Sequence, residues 1–319
     1  MKNIKVAVLL GGWSDEREVS LTSGEQIAHA ARDIGYDVTV VDVTRDLGEL
    51  LTQLTPKPDV IINILHGQWG EDGRIQAVLD ILDIPYTFSG HMASALAMNK
   101  LLSKKMFLAS GIPTPVYKIV SFEDAFSKKQ MDVPYVIKPI SEGSSLGVYV
   151  VMDPSCLPEK PKDWAYGDEV LVEEYIPGME ISAAVMGERA IGVMELAPRE
   201  GFYDYEAKYV DGKTDHYVPA RMPEEDYNKA MEIAVLAHKT LTCQGISRTD
   251  LRYNPENKKL YVLEVNTQPG FTPLSIVPEI AAHAGYSFKD LIQWMVEDAL
   301  ARGNRSGNVI SGMDLTKTA

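Results

Sequence analysis

The stretch Ser247–Thr272, SRTDLRYNPENKKLYVLEVNTQPGFT, decides how the rest of the chain reads. Two β-forming runs, Ser247–Tyr253 and Leu260–Asn266, flank a turn carrying Pro255, Asn257 and Lys258, which predicts a hairpin. Side chains alternate along a strand, so Arg248, Asp250 and Arg252 share one face of the first run. The same rule puts Leu260, Val262, Glu264 and Asn266 on one face of the second. A hairpin symmetric about Asn257 sets Asp250 across from Glu264 and Arg248 across from Asn266. Carboxylates that face each other across a sheet repel. With an amide oxygen beside them they form an all-oxygen donor set, which suits Mg²⁺ or Mn²⁺ better than zinc. A second reading, charges pointing into water, stays open at this stage because a slip of one residue undoes the pairing.

The 319 residues predict two or three domains. A net charge of −14 argues against a general nucleic-acid binder or a protein held on an anionic membrane. Cys156 and Cys243 have no metal or redox spacing, so neither a disulfide framework nor a zinc site is expected. The apolar run Val6–Leu10 is too short for a signal peptide and lacks a small-residue cleavage site. No stretch approaches the ~20 apolar residues of a membrane span. A cytoplasmic location is the expectation.

The first third predicts a doubly wound α/β domain. Ile4–Leu10 is almost wholly apolar, as in a strand buried on both faces of a parallel sheet. A helix with Ile27, Ala30, Ala31 and Ile34 follows and ends at Gly35; Asp37–Val43 and Val60–Leu65 are the next strands. Ligands of such sheets bind near the carboxyl ends of the strands. Two polar clusters lie there, Ser14–Ser20 with Glu16, and His66–Gly73. On residue type alone, Glu16 equally suits a helix-start charge and His66 a structural hydrogen-bonder. No G-x-G-x-x-G follows the first strand, which argues against a nicotinamide dinucleotide fold.

Farther on, Asn99 caps a predicted helix carrying Leu101, Leu102, Met106 and Leu108. Tyr135–Pro139 is a strand bearing Lys138, and Val148–Met152 is another. The loop between them, Ser141–Gly147, suits either close approach to a phosphate or a flexible hairpin. Asp153–Asp168 contains three prolines and reads as an irregular connection. Glu169–Ile176, Glu180–Met186 and Ala190–Leu196 are β-type runs. The aromatic, aperiodic stretch from Gly201 to Pro219 is of a length that is usually functional or disordered, and its aromatic content leans toward a lid. Asp226–Leu241 is a helix, a last helix contains Leu291, Met295 and Leu300, and the chain after Gly303 reads as a frayed tail.

Six motifs in order, LLGGWSDEREVSLTSG, LHGQWGEDG, MNKLLSK, VIKPISEGSSLGV, FYDYEAKY and RTDL…LEVNTQPGFT, make the chain resemble D-alanine–D-alanine ligases of the ATP-grasp superfamily, from about Lys5 to Gly303. The resemblance implies an N-terminal doubly wound parallel-sheet domain over residues 1–96, followed by a two-part α+β ATP-grasp module. Its central part would span 97–179 and its C-terminal part 180–303, with a flexible tail over 304–319. It implies a ligase that couples two D-alanines with ATP and two Mg²⁺ or Mn²⁺ ions, through a D-alanyl phosphate, for peptidoglycan precursors, and a homodimer.

By motif, Asp250, Glu264 and Asn266 would hold the metals, and Arg248 with the Gly270 N–H would stabilise the oxyanion. Lys100, Lys138 and Lys208 would contact phosphates. Glu173, Glu180 and Ile176 would meet adenine and ribose, together with Glu174, where the family varies. Glu16 and His66 would bind the first D-alanine and Ser275 the carboxylate of the second, while Glu16, Ser144 and Tyr209 would form a hydrogen-bonded trio. Tyr209 would favour an amine over a hydroxy acid as second substrate. Two departures stand out: Asn99 replaces a frequent Asp, and Asp153–Asp168 replaces a usual helix. Another ATP-grasp carboxylate–amine ligase would not need Glu16, His66, Tyr209 and Ser275 together. A regulatory module without catalysis would be expected to lose Arg248 or the metal ligands.

Overall fold

The computed structural model describes residues 4–153, 155, 157–199 and 213–303. Strand β1 (Lys5–Gly11) lies between β2 (Asp37–Val43) and β3 (Val60–Asn63) in a parallel sheet ordered β2-β1-β3. Its unbroken apolar run has a direct cause. Val6 and Val8 enter a core with Ile27, Ala28 and Ala31 of helix α1 (Arg17–Ile34), while Ala7 and Leu9 enter a separate core with Leu50 and Leu79. A strand covered on both faces has no position for a polar residue. Helix α1 stops at Gly35, whose φ of 105° is the left-handed conformation that glycine adopts without strain. Helices α2 (Leu47–Gln53) and α3 (Arg74–Ile81) cover the other face; neither was expected from periodicity.

Helices α4 (His91–Met98) and α5 (Lys100–Ala109) lead to an antiparallel sheet ordered β4-β7-β5-β6. Its strands are β4 (Tyr117–Ser121), β5 (Tyr135–Pro139), β6 (Tyr149–Val151) and β7 (Glu169–Glu174). Asn99 caps α5 as expected, its side chain accepting from the Leu102 N–H at 3.0 Å. The described residues between β6 and β7 form no helix or strand.

A second antiparallel sheet follows, ordered β10-β9-β8-β11-β12, with β8 (Met179–Met186), β9 (Arg189–Pro198), β10 (Thr214–Tyr217), β11 (Ile246–Asn254) and β12 (Lys259–Asn266). Strand β10 falls within the stretch expected to be aperiodic; it pairs with β9, so tertiary pairing supplies what local pattern lacks. One face of the sheet packs against α4, α5 and the helix Glu224–Thr240 through Leu251, Tyr253, Val262 and Val265. The other face changes character along its length. Ile246, Ala184 and Met186 join the core shared with the parallel sheet and the helix Phe288–Gly303. Farther along the same strands, Arg248, Asp250, Arg252 and Glu180 line open clefts. No helix among the described residues is long and apolar enough to cross a membrane.

The hairpin places Asp250 opposite Glu264 and Arg248 opposite Asn266, as the symmetric reading expects. The alternation on β12 is different from that expectation. Leu251 pairs with Val262, so Leu263 is an extra residue that bulges the strand. Leu260 and Val262 therefore face the core with Val265, whereas Glu264 and Asn266 face the clefts. Without the bulge, Glu264 and Val262 would share a face.

Candidate active site

Two clefts meet on the open face of this sheet. The first, between the two antiparallel sheets, encloses about 890 Å³ including its mouth. Lys100, Lys138, Glu173, Glu174, Ile176, Glu180, Asp250 and Glu264 line it. The second cleft faces the N-terminal domain and is lined by Glu16, His66, Ser144, Arg248, Asn266, Gly270 and Ser275. Gly143 and Glu264 belong to both walls, so the clefts join at the Ser/Gly loop and the hairpin. Every expected site residue that the structure describes lies in one of these clefts. Lys208 and Tyr209 fall outside the described residues.

In the first cleft every carboxylate of the hairpin has a protein cation. Arg248 grips Asp250 with two hydrogen bonds, Nε to Oδ1 at 2.8 Å and Nη2 to Oδ2 at 2.7 Å; the Ser182 hydroxyl donates to Oδ1 at 2.6 Å. Lys100 Nζ lies 3.0 Å from Glu264 Oε2 and donates to the Glu142 carbonyl at 2.5 Å. Arg248 and Lys100 thus supply positive charge to the facing acids. Glu180 pairs with Arg252 at 3.2 Å.

Glu173 is buried, and its carboxylate is engaged on both oxygens, with Lys138 at 2.5 Å and Lys104 at 2.7 Å. Burial alone would raise its pKa, but the two lysines outweigh that and hold it below the ordinary value. A side chain so committed is a bridge between lysines before it is a nucleotide contact. Sequence reading missed Lys104. The available signal was its spacing of four from Lys100 in MNKLLSK, which places both on one face of α5.

In the second cleft the residues come from loops held together by hydrogen bonds. The Ser14 hydroxyl donates to the His66 carbonyl at 2.6 Å, tying the loop after β1 to the loop after β3. Gly67 has φ 71°, and a Cβ there would come within 2.8 Å of Glu16 Oε2, so glycine permits this close approach. The Ser144 hydroxyl donates to Glu16, and Gln68 Nε2 donates to Glu142 at 3.0 Å. The Ser/Gly loop is thereby fastened to the N-terminal domain at two points. Its Ser144 and Ser145 have φ of 51° and 58°, a left-handed pair of non-glycine residues. Gln268, after β12, adds a third tie: Asn63 Nδ2 donates to its Oε1 at 2.8 Å, and its own amide donates to the Leu65 carbonyl.

His66 Nδ1 lies 2.9 Å from Glu71 Oε1, a partner that sequence reading missed although both lie in one short cluster. Burial pushes the imidazole toward neutrality, but Glu71, with help from Glu16, outweighs it and raises the pKa. Burial, reinforced by Glu16, also raises the Glu71 pKa. His66 Nε2 is buried without a hydrogen-bond partner among the described residues. Ser275 opens the helix Ile276–His283; its Oγ accepts from the Thr272 N–H at 3.0 Å.

Set beside known proteins, residues 106–297 match the family described as D-ala D-ala ligase C-terminus and residues 49–89 the family D-ala D-ala ligase N-terminus. A D-alanine–D-alanine ligase of Xanthobacter autotrophicus is 50% identical over 300 residues, covering 92% of this chain and 97% of its own length. D-alanine–D-alanine ligase B of Mesorhizobium japonicum is 51% identical over 306 residues, covering 94% and 99%. A crystal structure of the Bacillus anthracis D-alanine–D-alanine ligase complexed with ATP superposes with a TM-score of 0.77 at 26% identity, over 95% of this chain and 99% of that one. The Coxiella burnetii enzyme gives 0.79 at 25% identity, over 96% and 97%.

Proposed function

The chain belongs to the D-alanine–D-alanine ligase family, and from that membership we propose a division of labour between its two clefts. The protein is an ATP-dependent ligase that joins two D-alanines for peptidoglycan synthesis. ATP occupies the first cleft, and the D-alanines occupy the second. The observation that carries this reading is the junction of the clefts at Gly143 and Glu264, where a γ-phosphate from one side meets a carboxylate from the other.

A carboxylate oxygen of the first D-alanine attacks the γ-phosphorus, the bond to the β-phosphate oxygen breaks, and ADP leaves. The amino group of the second D-alanine then attacks the carbonyl carbon of the D-alanyl phosphate. Phosphate departs, and the nitrogen loses its proton. Lys100 and Lys138 hold the phosphates, and Glu16 takes the ammonium of the first D-alanine. His66, held toward its protonated form by Glu71, offers its otherwise unpartnered Nε2 to that substrate's carboxylate. Ser275, at a helix N-terminus favourable to anions, takes the carboxylate of the second. Arg248 and the Gly270 N–H stabilise the tetrahedral oxyanion. The all-oxygen set Asp250, Glu264 and Asn266 fits Mg²⁺ or Mn²⁺. Bound there, two such ions would neutralise phosphate charge.

Three further readings accompany this one. The divisions near residues 97 and 180 follow the three sheets. A homodimer is the assembly that family membership favours; light scattering at a monomer's mass would refute it. A cytoplasmic site of action accords with the use of ATP. The decisive assay is ADP release with D-alanine, with L-alanine and with no amino acid. Turnover that depends on D-alanine is expected, and D-alanine-independent turnover, or none, would overturn the reading.

A further inference from the structure

Lys104 is the most deeply buried charged side chain at the first cleft, with 0% of the residue exposed, although it does not line the cleft itself. Lysine is almost never buried so fully unless it is paired. Its Nζ donates to Thr114 Oγ1 at 2.6 Å, pairs with Glu173 Oε2 at 2.7 Å and lies 5.4 Å from the centre of the Tyr117 ring. The Thr114 hydroxyl passes its own proton to the Val262 carbonyl at 2.8 Å, beside the bulged Leu263 that turns Glu264 toward the clefts. One ammonium therefore ties helix α5 to β4, β7 and β12. The other oxygen of Glu173 holds Lys138 at 2.5 Å.

We propose that Lys104 is a positioning residue for the nucleotide phosphates: it occupies one oxygen of Glu173, so that the other holds Lys138 at the cleft. This rests on the assignment of Lys138 to the phosphates. If Lys104 were apolar, Lys138 would be the only cation left on a buried carboxylate, which would draw it inward and away from the ligand. The charged groups around Lys104 are Glu173 from β7, Lys138 from β5 and Lys100 on its own helix. Burial, joined by the two neighbouring lysines, pushes its pKa down to about 8 despite Glu173. Its charge is thus lost as pH rises past about 8.

The test compares Lys104→Met, Lys104→Arg and Lys138→Gln in steady-state kinetics with ATP and D-alanine. Methionine conserves volume. Lys104→Met is expected to raise KM for ATP about tenfold, the factor that ~1.4 kcal/mol represents, and to leave both D-alanine KM values unchanged. Equal shifts in all three constants, or a fall in melting temperature alone, would make Lys104 merely structural and overturn the proposal. If Lys104→Met does not fold, the pH profile decides. In the wild type KM for ATP should climb above pH 8 as Lys104 loses its proton, and Lys104→Arg, which stays charged, should flatten that climb. Identical profiles would refute the proposal. Lys138→Gln separates the two layers: an unchanged KM for ATP there would refute the phosphate assignment itself.

Discussion

In the parallel sheet, no strand residue lines either cleft: Glu16 and His66 stand in loops beyond β1 and β3. In the five-stranded antiparallel sheet, Arg248, Asp250, Glu264 and Asn266 stand on the strands themselves. The difference follows from coverage. A sheet buried on both faces has only its ends to offer, whereas a sheet with one open face offers alternate residues along its strands. Residues of the second kind are fixed by register, and those of the first kind by hydrogen bonds between loops. The two regions should therefore fail differently.

Register errors should be the most damaging. Deleting Val265 would set Asn266 opposite Thr249 on the core face, away from Arg248 and the cleft. ATP turnover should fall to background, and denaturant unfolding should show a loss of ~1–3 kcal/mol, the usual cost of a buried polar group left unpaired. A deletion variant that keeps activity would show that this register does not place the site. Glu264→Gln keeps the register but weakens the partner of Lys100. A loss of about a hundredfold in ATP turnover at every D-alanine concentration is expected, as when one electrostatic group leaves a reaction centre.

The loop-built side should respond to pH. Glu71 and His66 both have raised pKa values, so the folded state holds protons that the unfolded chain releases above the ordinary values of 4.5 and 6.5. The stability contributed by this pair is full at low pH and is lost as pH rises through that window and past 6.5. In Glu71→Gln, burial is left as the main influence on His66 and lowers its pKa, so stability would instead fall as pH drops below 6.5. The melting-temperature advantage of the wild type over the variant should shrink by about 2–4 °C between pH 5 and pH 8, equivalent to ~1 kcal/mol. A constant difference would mean that the pair does not titrate together. Smallest of all, Ser275→Ala removes one neutral hydrogen bond and should raise the KM for the second D-alanine about fivefold, with ATP unaffected.

The same contrast explains what could be read in advance. The Asp250–Glu264 and Arg248–Asn266 pairs were legible because a hairpin turn sets register over a few residues. The Leu263 bulge was not, since nothing in the alternation VLEVN marks an extra residue. The turn is centred half a residue earlier than the symmetric reading assumed, and the bulge restores the pairing at the site. Strand β1 and helix α1 were visible in apolar runs and spacing. Strand β10 and the helix Ile276–His283 were not, because each depends on a partner distant in sequence. Glu71, Lys104 and Gln268 escaped for a related reason. Each acts by satisfying another buried polar group, and such pairings are visible only once the chain has folded.

The most direct test of the account is a crystal structure with ADP, Mg²⁺ and a phosphorylated analogue of the first D-alanine. The transferred phosphoryl group should lie where the clefts join, between Gly143 and Glu264 and within reach of Lys100 and Lys138. A phosphoryl group bound away from that junction would contradict the account.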